Sequence, residues 1–90
     1  MKKLPPFSQK VLKITSKIPK GKTLSYKEVA RLAGRPLAYR AAGNTLAQNY
    51  NPKIPCHRVI RSDGKPGEYN RGKTQKLSLL KSEGVIFHER

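Results

Sequence analysis

The sequence predicts a mostly α, single winged-helix-like domain, built round a helix-turn-helix with a short β wing. Three observations predict it. Ninety residues leave room for one hydrophobic core and not two. Apolar residues recur at helical spacing in several stretches, each bounded by Pro, Gly or a capping residue. The charge is lopsided, with Lys+Arg 20 against Asp+Glu 5 and a formal net charge of +15. Such an excess repels itself in a compact chain and is relieved by a polyanion. A domain this small buries only about 60% of its unfolded surface, so its helices must pack economically.

The elements follow in order. Pro5-Pro6 opens a first helix, where a missing N–H does no harm. Phe7, Val11, Ile14 and Ile18 give it one apolar stripe, and Pro19-Lys20-Gly21 stops it. Ser25-Tyr26-Lys27-Glu28 fits the S-x-x-E capping box, so a second helix starts at Ser25, with Val29, Ala30 and Leu32 inward and Gly34 as its C-terminal stop. A third helix is expected from near Pro36 to about Gln48, with Ala38, Ala41, Ala42 and Leu46 apolar. The second and third helices, joined by a Gly-containing turn, form the helix-turn-helix. Val59-Ile60 reads as a short strand and Ser62 to Gly67 as a loop or wing of turn formers. A basic helix from Lys73 to Ser82 directs Leu77, Leu79 and Leu80 inward and closes at Gly84; Val85-Ile86-Phe87 reads as a last strand.

These features narrow the function. The charge favours nucleic acid, with an anionic membrane surface as the alternative; no apolar run approaches the roughly 20 residues of a membrane span. The start Met1-Lys2-Lys3-Leu4-Pro5-Pro6 lacks the apolar stretch of a secretory signal, and a single cysteine makes no internal disulfide. Both point to the cytoplasm. One Cys and two His, His57 and His88, fall short of a metal-ligand set, so neither metal nor cofactor is expected. In the third helix the small residues Ala41, Ala42 and Gly43 serve either close helix packing or close approach to a duplex. The charge favours the duplex.

Pro55-Cys56-His57-Arg58 is the one constellation with chemistry in it. A lone cysteine is by default a small buried hydrophobe. Neighbouring His57 and Arg58 offer a second reading, because cations favour the reactive thiolate. Adjacency in sequence does not by itself make a nucleophile–base pair.

Ile54-Pro55-Cys56-His57-Arg58-Val59-Ile60 resembles the I-P-C-H-R-V-[IV] active-site motif of the O6-alkylguanine-DNA alkyltransferases. The likeness extends along nearly the whole chain. Phe7 to Gly21 is similar to the family's opening F-x-x-x-V helix ending in I-P-x-G, and Ser25-Tyr26 to its S-Y. Tyr39-Arg40-Ala41-Ala42-Gly43 is similar to its R-A-[VA]-G recognition helix, Gly67-Glu68-Tyr69 to its G-x-Y loop, and Leu79 to Gly84 to its L-L-x-x-E-G.

The resemblance implies the active-site domain of that family, a monomer that binds double-stranded DNA containing O6-alkylguanine through the minor groove. It implies that Cys56 takes the alkyl group irreversibly, that His57 acts through a water as base, and that Glu83 orients His57. Read alone, Glu83 is a surface or helix-end carboxylate; the motif gives it the role. Tyr26 would help turn out the nucleotide and hydrogen-bond the base, and Arg40 would fill the space the base leaves, with Ala41 and Gly43 against the DNA. The backbone near Val59, together with Tyr69 and Asn70, would line the guanine pocket. The hinge asparagine falls at Asn49 counting from Arg40, or at Asn51 from the Asn51-Pro52 pair; Asn49 is favoured.

The sequence also departs from the family. The chain is expected to be one domain over residues 1–90, without the family's usual extra N-terminal domain. The turn before the Cys56 motif is shorter, and Asn70-Arg71 replaces small residues after G-x-Y. The rival reading is a non-enzymatic sensor resembling the alkyltransferase-like proteins. Those typically carry Trp at the position of Cys56, and this chain has no Trp.

Overall fold

The structure is a computed structural model, and it describes residues 4–51, 53–65, 67 and 72–85. Four helices and two very short strands follow one another: α1 (Pro6–Ser16), β1 (Leu24–Ser25), α2 (Tyr26–Leu32), α3 (Tyr39–Ala47), a 3-10 turn (Cys56–Arg58), β2 (Val59–Ile60) and α4 (Lys73–Ser82). The domain is mostly helical, and α2 and α3 form the expected helix-turn-helix.

Local sequence sets the boundaries. Pro6 occupies the first turn of α1. At α2 the capping box is complete: Glu28 N–H donates to Ser25 Oγ at 3.0 Å, and Ser25 N–H donates to Glu28 Oε1 at 3.1 Å. A cap of this kind is worth about 1 kcal/mol, a large share for a seven-residue helix. Gly34, at φ +92°, takes the left-handed conformation that ends α2 and turns the chain towards α3. Helix α3 begins at Tyr39, later than Pro36 suggests, because Pro36 and Leu37 lie in the turn and Leu37 is 90% exposed.

The helices α1, α2 and α3 pack against one another, and α4 packs on the 3-10 turn. Val11, Val29 and Val59 are wholly buried in one core with Ile18, Ala30, Ala33, Ala42, Leu46 and Cys56. Each wholly buried branched side chain contributes about 1.5–3 kcal/mol. Leu80 carries α4 inward and is also fully buried. Thr15 is fully buried with its hydroxyl donating to the Val11 carbonyl at 2.8 Å, and Ser8 and Thr45 join α1 to α3 through a 3.0 Å hydroxyl pair.

Two expectations are corrected. Leu32 is 50% exposed, because Val29, Ala30 and Ala33 take the inner face of α2 and leave Leu32 at the rim of an apolar hollow with Ile14, Ile18 and Leu24. The strand at Val59-Ile60 pairs in parallel with Leu24-Ser25, a strand the sequence did not suggest. Val85 lies outside any strand, and Ile86-Phe87 fall outside the described residues. Residues 61–65 form a turn, closed by Arg61 N–H to the Lys65 carbonyl and Lys65 N–H to Asp63 Oδ1.

Candidate active site

The chain leaves α3 and reaches the 3-10 turn through a tight loop. Asn51 holds that loop, accepting Lys53 N–H on its side chain at 3.0 Å and Ile54 N–H on its carbonyl at 3.1 Å. Asn49 does something different. Its Oδ1 accepts Asn51 N–H at 3.3 Å, which turns its amide nitrogen to Cys56, and Nδ2 donates to Sγ at 2.8 Å. Cys56, 6% exposed, therefore sits at the edge of the core with a donor aimed at its sulfur. A donor there favours the anionic form of sulfur over the protonated one.

His57 and Arg58 meet at one carboxylate. His57 Nε2 lies 2.9 Å from Glu83 Oε2, with Glu83 brought in at the C-terminal end of α4. Arg58 Nη2 donates to the same Oε2 at 2.8 Å, and Nε donates to Oε1 at 2.9 Å. Arg58 Nη1 donates to the Ile18 carbonyl at 2.8 Å, so one guanidinium ties the end of α1, the 3-10 turn and the end of α4. The Arg58 bonds, with help from His57, hold the Glu83 carboxyl down to about 2 against ordinary 4.5, and the Glu83 bonds raise Arg58 in return. Glu83 is thus a fixed anion at neutral pH. A carboxylate only accepts, so Nε2 carries the imidazole proton and Nδ1 is the basic nitrogen. Arg58 was expected to favour a thiolate at Cys56; instead its charge is paired with Glu83.

The cation that does interact with Cys56 is Lys76, on α4 and 0% exposed. Its ammonium donates to the Val59 carbonyl at 2.7 Å and to Tyr26 Oη at 3.2 Å. Burial pushes it down to about 8 from 10.5, while Cys56 acts in the opposite sense. The sequence reading missed Lys76. A signal was present: Lys76, Leu80 and Glu83 fall at i, i+4, i+7 and share one helix face.

An open pocket of about 540 Å³ lies beside the thiol. Tyr26, Tyr39, Gly43, Tyr50, Cys56 and Gly67 are among the residues that line it. Gly67, at φ +76°, is required twice over: a Cβ there would lie 3.2 Å from both Tyr26 Cε2 and Arg61 Cγ. At Gly43 a Cβ would meet nothing nearer than 3.8 Å, the Tyr26 ring, so packing within the protein does not demand a glycine.

The structure thus brings Asn49 to Cys56 and Glu83 to His57, the next residue, while Tyr26, Gly43 and Cys56 line the pocket. Arg40 and Ala41 stand apart on the exposed side of α3. Val59, whose neighbouring backbone is the part expected at the pocket, has a fully buried side chain and a carbonyl that accepts from Lys76. Tyr69 and Asn70 fall outside the described residues. Among the described residues no three His, Cys, Asp or Glu gather as a metal site, and no helix is long and apolar enough to cross a membrane.

Fold and site first define a class: a basic helix-turn-helix domain that carries one buried, hydrogen-bonded thiol at the floor of a pocket. Comparison with known proteins gives the family. The family model described as 6-O-methylguanine DNA methyltransferase, DNA binding domain, matches residues 6–85. A methylated-DNA–protein-cysteine methyltransferase of Methanothermobacter thermautotrophicus is 49% identical over 81 residues, covering 88% of this chain and 44% of the relative. The rat protein of the same name is 46% identical over 82 residues, covering 88% and 39%. The crystal structure of Mycobacterium tuberculosis OGT in complex with DNA matches with a TM-score of 0.85 at 40% identity, over 91% of this chain and 51% of that one. S. pombe Atl1, in complex with damaged DNA containing O6-carboxymethylguanine, matches with a TM-score of 0.86 at 29% identity, over 99% and 85%. The chain belongs to the 6-O-methylguanine DNA methyltransferase DNA-binding-domain family. It spans less than half the length of these curated relatives.

Proposed function

We propose that this chain is itself an alkyl acceptor, and that residues 1–90 are the active-site domain rather than a DNA-binding module alone. It binds double-stranded DNA containing O6-alkylguanine as a monomer in the cytoplasm, without a cofactor. Helix α3 approaches the minor groove, where small residues admit the backbone and degenerate base edges suit a reader of damage over sequence. Tyr26 and Arg40 serve the extrusion of the nucleotide, which costs a few kcal/mol and less for a poorly paired lesion.

The transfer balances simply. The Cys56 thiol proton passes through a water to His57 Nδ1, and Glu83 stabilises the resulting imidazolium. The sulfur lone pair forms a bond to the alkyl carbon as the carbon–O6 bond breaks. The guanine keeps that electron pair and takes up a proton. Cys56 is left as a thioether, which has no easy leaving path, so each molecule acts once. Asn49, through its bond to the sulfur, is the hinge at which the recognition helix meets the reactive turn.

The observation that carries this reading is the polar setting of Cys56: a donor on sulfur at 2.8 Å, with the His57–Glu83 pair on the adjoining residue. A structural cysteine needs neither. A sensor that binds alkylated DNA without transfer is the second reading, favoured by the likeness to Atl1 along almost the whole chain. Cys56→Ser separates them. The variant should lose transfer from a methylguanine duplex altogether and keep its affinity for that duplex, checked by single-turnover transfer and by titration. Undiminished transfer by the serine variant would contradict the proposal.

A further inference from the structure

The positive charge of the chain is unevenly spread. Residues 4–27 hold no Asp or Glu, and Glu28 is the first carboxylate side chain along the sequence. Within that stretch Lys10 and Lys13 lie on α1 and Lys17 caps it, and all three are exposed. Their spacing of three and four residues sets them in one stripe along the helix, while Val11, Thr15 and Ile18 take the buried side. Like charges three or four apart repel and weaken a helix, so a solvated helical face ordinarily interleaves both signs. The helix dipole favours Lys13 and Lys17 near the C-terminal end and offers nothing to Lys10, further from it. Among the described residues none of the three enters an ion pair.

Helices α1 and α3 pack on each other, α1 burying Val11 and Thr15 and α3 burying Ala42 and Leu46. The lysine stripe and the outer face of α3, which carries Arg40 and Ala41, therefore turn outward from one core on separate helices. We propose that the Lys10–Lys13–Lys17 stripe is a second nucleic-acid site, holding the phosphate backbone of a second segment of duplex DNA while α3 faces the first. The inference rests on the duplex-binding part of the proposed function and needs none of its transfer chemistry.

The chemistry of the stripe selects the partner. From Lys10 to Lys17 the helix rises by about 10 Å. A duplex carries one charge per roughly 1.7 Å of its axis, so that length meets several phosphates at once. Lysine is a flexible point charge without the planar fork that reads a base edge or a single carboxylate, which suits tracking a backbone regardless of sequence. An anionic membrane surface also attracts lysines, but a helix lying on lipid presents an apolar face to it. The residues between the lysines on the outer side are polar, Gln9 and Ser16, and the apolar side of α1 is taken by the core. Each phosphate neutralised adds about −0.9 to the log–log salt slope, so three lysines account for roughly −2.7.

The test is a capture experiment. The wild-type chain is bound to an immobilised unmodified duplex, and retention of a second, fluorescent duplex of different sequence is measured as salt is raised. A variant with Lys10→Gln, Lys13→Gln and Lys17→Gln together is compared; glutamine forms helix about as well as lysine, so the fold should persist. The wild type should retain the second duplex, and retention should fall steeply with salt. The glutamine variant should retain roughly tenfold less or lower, while its affinity for the first duplex stays within about twofold. Its transfer from free O6-methylguanine base should match the wild type. Replacing the same three lysines with arginine should keep the capture. Equal capture by the glutamine variant would overturn the inference, and so would a matching loss of affinity for the first duplex, which would make the stripe part of the first site. Retention of phosphatidylserine vesicles in place of the second duplex would assign the stripe to a membrane and overturn it too. A wild type that binds the first duplex and not the second overturns this inference alone; one that binds neither removes the proposed function with it.

Discussion

The two sides of Cys56 are built on opposite principles. On one side His57, Arg58 and Glu83 form a nearly buried ionic knot, in which three bonds of 2.8–2.9 Å converge on a single carboxylate. On the other, the outer face of α3 offers Arg40, Ala41 and the small pocket residue Gly43, exposed or thinly covered. The first side is finished within the protein. The second is left bare, and a bare, small-residue face in a domain of charge +15 is suited to an outside partner. The contrast teaches that, on the proposed function, the geometry of the chemistry would be set before substrate arrives, while the cost of opening the duplex would be met only on contact.

Removing Arg40 should break the contrast most visibly. Flipping is uphill by a few kcal/mol in a paired duplex, and each 1.36 kcal/mol is tenfold in rate. Arg40→Ala should slow transfer from duplex DNA by roughly ten- to a thousandfold, while transfer from free O6-methylguanine base, where nothing is extruded, should hardly change. Single-turnover rates on both substrates check this. An equal loss on both would make Arg40 part of the finished side.

Glu83→Gln attacks the finished side instead. It leaves the Arg58 guanidinium largely buried without its carboxylate, and should cost about 2–3 kcal/mol of stability in urea titrations. Because the folded Glu83 carboxyl is held down to about 2, its contribution is present above the ordinary carboxylate range and is lost as pH falls from about 4.5 towards 2. The glutamine variant should lack that part of the acid limb. An unchanged acid profile would mean that the Arg58–Glu83 bonds stabilise little.

Gly43→Ala sharpens the boundary between the sides. The added methyl meets only the Tyr26 ring at ordinary contact distance, so stability should stay within about 0.5 kcal/mol or rise, a glycine in a helix interior being unfavourable. Binding to duplex DNA should weaken a few-fold if α3 lies against the groove. Unchanged affinity in a titration would place the duplex elsewhere.

Much of this was legible in the sequence, and unevenly so. Local signals gave local structure: the Ser25–Glu28 box fixed the start of α2, and α4 runs from Lys73 to Ser82 as the apolar spacing predicts. The Cys56-His57 pair stood out by residue type, and only the motif tied distant Glu83 to it; spacing alone does not bring residues 57 and 83 together. What stayed hidden depends on tertiary placement. Two-residue strands such as β1 carry no periodicity, and their partner lies far along the chain. Leu32 looks like core in a short helix whose inner face is fixed only by packing. Lys76 passed unnoticed within a basic helix, and Arg58 was read by residue type as a thiolate neighbour. The fold buries the first beside Tyr26 and spends the second on Glu83.

The central claim, that Cys56 itself takes the alkyl group, is tested most directly by the intact mass of the wild-type chain after incubation with an O6-methylguanine duplex, followed by mapping of the modified peptide. The account predicts a gain of one methyl group in place of one hydrogen, once per molecule and on Cys56, with no further gain when substrate is in excess. A chain that binds the duplex yet keeps its original mass, or carries the methyl group on any other residue, would contradict it.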